Sequence, residues 1–315
     1  MSELVSVVVP AFNQADYLRE ALRSALAQTH RELEIIVVDD GSTDHTRTVC
    51  EALSDSRIRY VYQPNDGTKG IGARNAAMLL AQGEWIALLD QDDRWAPTKI
   101  EKQVACAAGR SDIGAVFCRV RFIDGDGRVT GEQAGPLPQG DVFHLLLPNN
   151  RYHAVSGMFR RALLPQIGLP HAQVGLADHA LWLAVSRRAK VAAVDEALAD
   201  YRIHAQGYQE AQRRAGGLLR FADDGWQLTM FGASLMHVGC ATCRRGHARA
   251  RRGATKSYLR ALAAQWRAGQ MGGSGRTWRS AWAASPRWLA MPWNLLPWML
   301  RLAWAAARGL VTAKP

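Results

Sequence analysis

Short β-branched runs alternate with amphipathic stretches through the first 95 residues. Ser6 to Val9 is such a run, closed by Pro10, and from Asn13 the apolar positions Leu18, Ala21, Leu22, Ala25 and Leu26 repeat at the three- and four-residue spacing of one helix face. Leu33 to Val38 reads as a second buried strand ending in Asp39-Asp40-Gly41-Ser42, after which Ser42 or Thr43 is expected to cap a helix running through Leu53. Ile58 to Tyr62 is a third strand. A glycine-rich loop from Gly67 to Gly72 carries Lys69 and opens onto a helix from Ala73 to Ala81. The fourth apolar run, Glu84 to Leu89, is too short for a helix and is followed closely by Pro97, so it reads as a central strand. Strand and helix in regular alternation predict an α/β fold, a mostly parallel sheet with helices on both faces.

That fourth strand ends in Asp90-Gln91-Asp92-Asp93. In open α/β sheets ligands bind beyond the carboxyl ends of the strands, and hard divalent cations take oxygen ligands, typically carboxylates together with substrate phosphates. The cluster is therefore a candidate site for Mg²⁺ or Mn²⁺ and a diphosphate, although an Asp-rich solvated turn fits the same letters. Asp39 can accept from the N–H of a base, and Gly41-Ser42 offers free backbone N–H groups; a plain cap and turn is the competing reading.

Further on, Ile113 to Phe122 reads as a strand and Asp124-Gly125-Asp126-Gly127 as a hairpin turn, since the remaining ligand spacing of a calcium loop is lacking. Asp178 heads an apolar helical run, where it is either a first-turn acid or a rigidly held base. His179 beside it reads as an ordinary helix residue.

These segments resemble the family 2 glycosyltransferases of GT-A fold. SVVVPAFN, VVDDGSTD, GARNAAM and GEWIALLDQDDRW stand in the family's order and spacing, Val155 to Arg161, just after Asn149 and His153, resembles its acceptor-side strand, Gly175 to Leu183 its Glu-Asp motif, and Tyr201-Arg202-Ile203-His204 its Tyr-Arg-x-His segment. The resemblance covers about residues 4–208. It implies that Pro10, Ala11 and Asp39 line the base, that Asn13, Arg74 and Gln91 belong to the nucleotide pocket, and that Asp90 lies near the ribose. Asp92 becomes the principal ligand of Mg²⁺ or Mn²⁺, with His204 approaching the metal or the diphosphate, and Asp178 becomes the catalytic base. The implied activity is inverting transfer of a sugar from a UDP-, dTDP- or GDP-sugar to a hydroxyl of a glycan or lipid-linked acceptor, in cell-surface polysaccharide synthesis. Two positions depart from the family's pattern: Ala177 stands where a Glu usually precedes the base, and Ala184 where an arginine often follows the motif's Trp. Ala177 motivates an alternative, a membrane-docked scaffold with a degenerate glycosyltransferase site.

Charge divides the chain. The net charge is +11, with hydrophobic residues at 48% and charged residues at 21%, as in a folded protein. Residues 1–210 hold 22 Lys+Arg and 26 Asp+Glu, net −4, whereas 211–315 hold 17 and 2, net +15. The expected organisation is a glycosyltransferase domain over 1–210, with 1–100 as the nucleotide and metal half and 101–210 as the acceptor half, followed by a basic, Trp-rich helical region over 211–315. In that region Trp278, Trp282, Trp288, Trp293, Trp298 and Trp304 interleave with Arg276, Arg279, Arg287 and Arg301, which suits an anionic membrane surface. Pro292 and Pro297 favour lying in the interface over spanning it, with a re-entrant hairpin or a packed helical subdomain as alternatives. Ala281 to Trp304 is too apolar for a groove of phosphates, so nucleic acid is not the expected partner.

Five scattered cysteines and a start without a charged and apolar leader pattern set the expectation of a cytosolic protein, peripheral on the cytosolic face of the membrane. The sequence is silent on oligomeric state. His237-x-x-Cys240-x-x-Cys243-x-x-x-His247 can be drawn as a zinc site, but its four residues crowd one expected helix, which argues for coincidence or packing.

Overall fold

The computed structural model describes residues 3–65, 67–68, 70–169, 177–205, 207 and 218–267. Its first half is the expected α/β unit. β1 (Val5–Ala11), β2 (Leu33–Asp40), β3 (Ile58–Gln63) and β4 (Trp85–Leu88) are all parallel, in the order β3-β2-β1-β4. Between them run α1 (Ala15–Leu26), α2 (Thr46–Ala52) and α3 (Ile71–Leu80). The runs lack strict alternation because the sheet is covered on both faces. Val7, Val9, Ile35, Val37 and Ala87 share one core with Leu18, Ala21 and Leu22 of α1, while Val8, Ile36, Val38, Ile86 and Leu88 share the other with Ala73, Ala77 and Met78 of α3. Each fully buried side chain of this kind stabilises the fold by roughly 1.5–3 kcal/mol.

Pro10 lies inside β1 instead of closing it. The Val8 carbonyl accepts from the Leu89 N–H (3.1 Å), so Pro10, two residues on, faces the same side, beyond the last β1–β4 pair at Val8 and Leu88. No ladder bond is lost there, which reconciles a proline with a central strand. The expected cap of α2 is also corrected. The helix starts later, at Thr46, and Asp44 accepts from the Thr46 N–H (3.0 Å) and Oγ1 (2.6 Å), while Ser42 and Thr43 are engaged by Asn13.

The second half is mixed. It comprises β5 (Arg94–Trp95), α4 (Lys99–Ala107), β6 (Ile113–Ile123), β7 (Val129–Glu132), α5 (Phe143–Leu146), β8 (Met158–Arg160), α6 (Leu164–Ile167), α7 (Ala177–Ser186) and β9 (Lys190–Arg202). β8 is antiparallel to both β4 and β6, β5 to β9 and β7 to β6, and only β6 and β9 pair in parallel. The expected parallel character thus holds for β1 to β4 and for the long β6–β9 pair, and the short strands β5, β7 and β8 add the antiparallel pairings. The antiparallel pairings rest on strands of two to four residues, too short to carry a readable period. The predicted Val155 to Arg161 strand shrinks to β8, preceded by a 3₁₀ turn over Ala154–Ser156. Gly157 lets β8 in: a Cβ there would lie 2.5 Å from the Phe117 ring and 2.9 Å from Trp182. The Asp124 hairpin turn forms as expected, with Asp124 Oδ1 accepting from the N–H groups of Asp126 and Arg128.

The basic region is helical where it is described. α8 (Leu218–Ser234) and α9 (Ala241–Arg267) form a hairpin, and Leu228 and Cys243 enter the same buried cluster as Leu146 and Trp182. Among the described residues no helix is long and apolar enough to cross a membrane. Lys69, the Gly175-Leu176 start of the downstream motif, the boundary near 210 and the Arg276 to Trp304 stretch lie outside the described residues.

Candidate active site

Register brings the polar strand ends together. Ala11 pairs with Asp39, and Val8 with Leu88, so Pro10-Ala11, Asp39-Asp40 and Asp90 to Asp93 share one edge of the parallel half. After β4 the chain turns through Asp90 to Asp93 directly into β5, which pairs with β9 at Arg94 and Asp200. That antiparallel step sets the acidic turn against the end of β9, where Tyr201, Arg202 and His204 follow.

Each acid in the turn has a distinct environment. Asp90 accepts from the Arg74 guanidinium, and burial pushes its carboxyl up while Arg74 pulls it back and the charge on Asp92 pushes it further. Asp92 Oδ2 lies 2.9 Å from His204 Nε2, and the His204 ring sits edge-on to Tyr17 at 4.9 Å. Asp93 is buried, and its Oδ1 accepts from the Arg202 backbone N–H (2.8 Å), whereas its Oδ2 has no hydrogen-bond partner among the described residues. Burial first, then the charges on Asp92 and Asp90, hold the Asp93 carboxyl well above the ordinary range. Asp93 therefore does more than end a strand.

Arg202 is the cationic counterpart. Its fully buried guanidinium donates to the Asp92 carbonyl (2.7 Å), the Gly125 carbonyl (2.9 Å) and Glu20 (2.7 Å), and stacks 4.5 Å from the Tyr17 ring. It ties the acidic turn, the Asp124 hairpin and α1 into one frame. Tyr201 stands among the acids; burial, then Asp93, Asp90, Asp92 and Asp178, raise its phenol above the ordinary range.

The residues expected on the nucleotide side are built into the same edge. Asp39 is buried, its Oδ1 accepting from the Ser42 N–H (2.8 Å) and its Oδ2 from the Tyr60 hydroxyl (2.5 Å). Asn13 sits at a left-handed φ of 54° and its Oδ1 accepts from the Thr43 N–H (3.0 Å), joining the loops after β1 and β2. The Gln91 side chain clasps the Phe12 backbone in both directions, accepting at 2.8 Å and donating at 3.0 Å. Its amide holds the β1 loop against the acidic turn, a positioning role that the sequence pattern does not distinguish from ligand contact.

Asp178 enters from α7. Asn150 donates to its Oδ2 (3.1 Å), and its charge bears on both Arg74 and Asp90. It is thus close to the acidic turn but held by its own partner. Burial depresses the nearby His153, and Asp178 opposes that shift. His179 is buried and turned away, with Nε2 2.7 Å from the Leu146 carbonyl, the packing role expected of it.

The profile of glycosyl transferase family 2 matches residues 6–168. The chain belongs to glycosyl transferase family 2. Among curated members of this family, the putative teichuronic acid biosynthesis glycosyltransferase TuaG of Bacillus subtilis is 33% identical over 203 residues, 64% of this chain and 79% of the relative. The UDP-Glc:alpha-D-GlcNAc-diphosphoundecaprenol beta-1,3-glucosyltransferase WfaP of Escherichia coli is 34% identical over 208 residues, covering 64% and 78%. Among solved structures, the mannosyltransferase PcManGT from Pyrobaculum calidifontis, in complex with GDP-Man and Mn²⁺, superposes with a TM-score of 0.57 over 100% of this chain and 89% of that one, at 20% identity. At that identity the likeness establishes the GT-A fold alone.

Several residues of this family 2 site escape sequence reasoning. Asn150, not its neighbour Asn149, reaches Asp178, and nothing in the letters separates the two. Glu20 looks like any polar position of α1. Arg202 and Tyr201 stand inside the Tyr-Arg-x-His segment, and a signal for them existed in their place beside His204.

Proposed function

We propose that this family 2 member is a metal-dependent, inverting glycosyltransferase that moves a sugar from a UDP-, dTDP- or GDP-sugar to a hydroxyl of a lipid-linked glycan at the cytosolic face of the membrane. The observation that carries the reading is the division of labour at one sheet edge: three clustered acids in the Asp90 to Asp93 turn, and a fourth, Asp178, nearby on a separate helix with its own hydrogen-bond partner.

The turn suits a hard divalent cation. Asp93 has an unpartnered buried oxygen, and Asp90 and Asp93 are both pushed toward their neutral forms by burial and mutual repulsion, a strain that a cation relieves. Asp92, with His204 beside it, would hold Mg²⁺ or Mn²⁺, which supplies charge neutralisation to a departing diphosphate. Pro10, Ala11 and Asp39 line the base, and Arg74 fixes Asp90. Asp178 takes the proton of the acceptor hydroxyl as that oxygen attacks the anomeric carbon, while the bond to the diphosphate oxygen breaks on the opposite side and the carbon inverts.

The acceptor class draws on the relatives, of which one is named for teichuronic acid biosynthesis and another for a diphosphoundecaprenol-linked substrate. Membrane docking draws on the Arg and Trp content of 276–304 and on Arg244, Arg245, Arg249 and Arg252, exposed on α9. The intact Asp178–Asn150 pair favours catalysis over the degenerate scaffold that Ala177 suggests. Calorimetry with UDP, GDP and dTDP tests the reading. Affinity for at least one that strengthens with Mn²⁺, and that is lost in Asp92→Ala, supports it; no metal-dependent affinity for any of them contradicts it.

A further inference from the structure

We propose that His144, His237, Cys240 and Cys243 form a structural zinc site that fastens the α8–α9 hairpin to the acceptor half of the domain. His144 lies on α5, His237 and Cys240 on the loop between α8 and α9, and Cys243 in the first turn of α9. Ligand atoms of His144, His237 and Cys243 all fall within 4.8 Å of one another. Cys240 completes the set, its Sγ 3.5 Å from His144 Nε2, and His237 Nδ1 lies 3.4 Å from Cys243 Sγ.

The two nitrogen–sulfur separations, His144 to Cys240 and His237 to Cys243, fit the metal. Zn–S bonds of about 2.3 Å and Zn–N bonds of about 2.0–2.1 Å at a tetrahedral angle place sulfur and nitrogen ligands about 3.5–3.6 Å apart. Two nitrogens and two sulfurs make a soft donor set that selects zinc over magnesium or calcium, and four protein ligands leave no position for substrate, as in structural sites. The surroundings orient the ligands. The Cys243 N–H donates to Cys240 Sγ (3.4 Å) and the His237 N–H to Cys243 Sγ (3.4 Å), contacts that stabilise thiolates. Both imidazoles pack against Phe143, at 5.6 and 5.5 Å, and Arg187 donates to the Leu235 carbonyl (2.9 Å), fixing the loop that carries His237.

The linear spacing singles out the wrong fourth residue. His247 stands one helical turn beyond Cys243 on α9 and lies beside the Thr229 backbone of α8, outside the cluster. His144, remote in sequence, takes its place, and that removes the objection that all four ligands crowd one helix. The site also has a mechanical consequence. α5 receives His179 at the Leu146 carbonyl, and the segment after it carries Asn150, which holds Asp178. The zinc therefore anchors the hairpin to the frame around Asp178.

Metal analysis of the full-length chain, produced in zinc-containing medium and purified without chelator, tests the proposal without any activity readout. Stoichiometric zinc is expected in the parent chain, in His247→Ala and in Asp92→Ala, and is lost in His144→Ala and Cys243→Ser, with far-UV circular dichroism reporting whether each variant is folded. If those two variants fail to fold, Co²⁺ titration of the reduced, zinc-stripped parent decides, with cobalt–thiolate charge-transfer bands and tetrahedral d–d bands expected. A parent chain that carries no zinc and develops no such bands, or that holds Cys240 and Cys243 as a disulfide, overturns the proposal. So does zinc that survives His144→Ala and disappears in His247→Ala. Retention of zinc in Asp92→Ala separates this site from the acidic turn, so either reading can fail alone.

Discussion

Two donor clusters in this molecule are built on opposite principles. At the sheet edge, Asp90, Asp92 and Asp93 offer hard oxygens; burial and neighbouring charge push the carboxyls of Asp90 and Asp93 up, and one buried Asp93 oxygen has no partner among the described residues. Between α5 and the α8–α9 hairpin, two imidazoles and two thiols gather, with His237 3.4 Å from Cys243 and His144 3.5 Å from Cys240. The first sits in a turn between two strands; the second joins a helix to a helical hairpin. A site that must admit and release a diphosphate keeps coordination free, whereas a fastening fills every position. The contrast explains why the acids gather at strand ends, where loops leave room, and the thiols where helices meet.

Chelation and substitution should separate the two. The largest effect is expected from Asp92→Ala, which removes a cation ligand at the leaving group and lowers sugar-nucleotide turnover by about 10²-fold or more, the scale of losing one transition-state electrostatic contact. Thermal unfolding of that variant should stay close to the parent. Cys243→Ser should do the reverse, lowering Tm by about 1.5 °C for each kcal/mol lost in a chain of this size, with the Mn²⁺ dependence of nucleotide binding intact. Equal thermal loss in both variants would erase the distinction between an open and a closed site.

Asn150→Ala sharpens the comparison inside the acidic half. It removes a hydrogen bond to a charged group, worth about 1.5–3 kcal/mol. Turnover should fall about 10- to 100-fold by the usual conversion of that energy, with the KM for the nucleotide sugar unchanged, because Asn150 positions Asp178 and not the donor. A rise in KM alone would place Asn150 in the donor pocket instead.

The last effect, on stability and not on turnover, belongs to a cation outside both clusters. Lys99 is fully buried, with Nζ 2.8 Å from Gln103 Oε1 and 4.2 Å from the Trp95 ring, and burial pushes it down to about 8. A depressed folded-state value means that stability is lost as pH falls through about 8 and is recovered toward the unfolded value of 10.5. Chemical denaturation between pH 7.5 and 10.5 should show that rise, at the pH values set by this shift, and Lys99→Met should flatten it. An unchanged slope in Lys99→Met would assign the dependence to another group.

How much of this was legible in the letters depends on the range of the interaction. β1 to β4 and the acidic turn were readable because burial on both faces writes continuous apolar runs and the charges follow without a gap. Asp178 was readable through its neighbours. β8 was signalled only by the family resemblance, and its extent and antiparallel place were not legible, since three residues carry no period and the strand's place depends on the Gly157 approach to Phe117. The α2 cap was misplaced by local reading because Asn13, from the preceding loop, competes for Ser42 and Thr43. Asn150 and His144 were invisible for the same reason: each acts on a partner brought to it only by the packed fold.

The central claim is that Asp178 is the base in sugar transfer. Parent chain and Asp178→Asn are to be incubated with a panel of nucleotide sugars, Mn²⁺ and a diphosphate-lipid-linked glycan acceptor, with product followed by mass and its anomeric configuration by NMR. The account predicts an inverted glycoside from the parent, and a product yield reduced by about 10²- to 10⁴-fold in Asp178→Asn, which still binds the nucleotide. Equal turnover in the two, or a product that retains the donor's configuration, would contradict it.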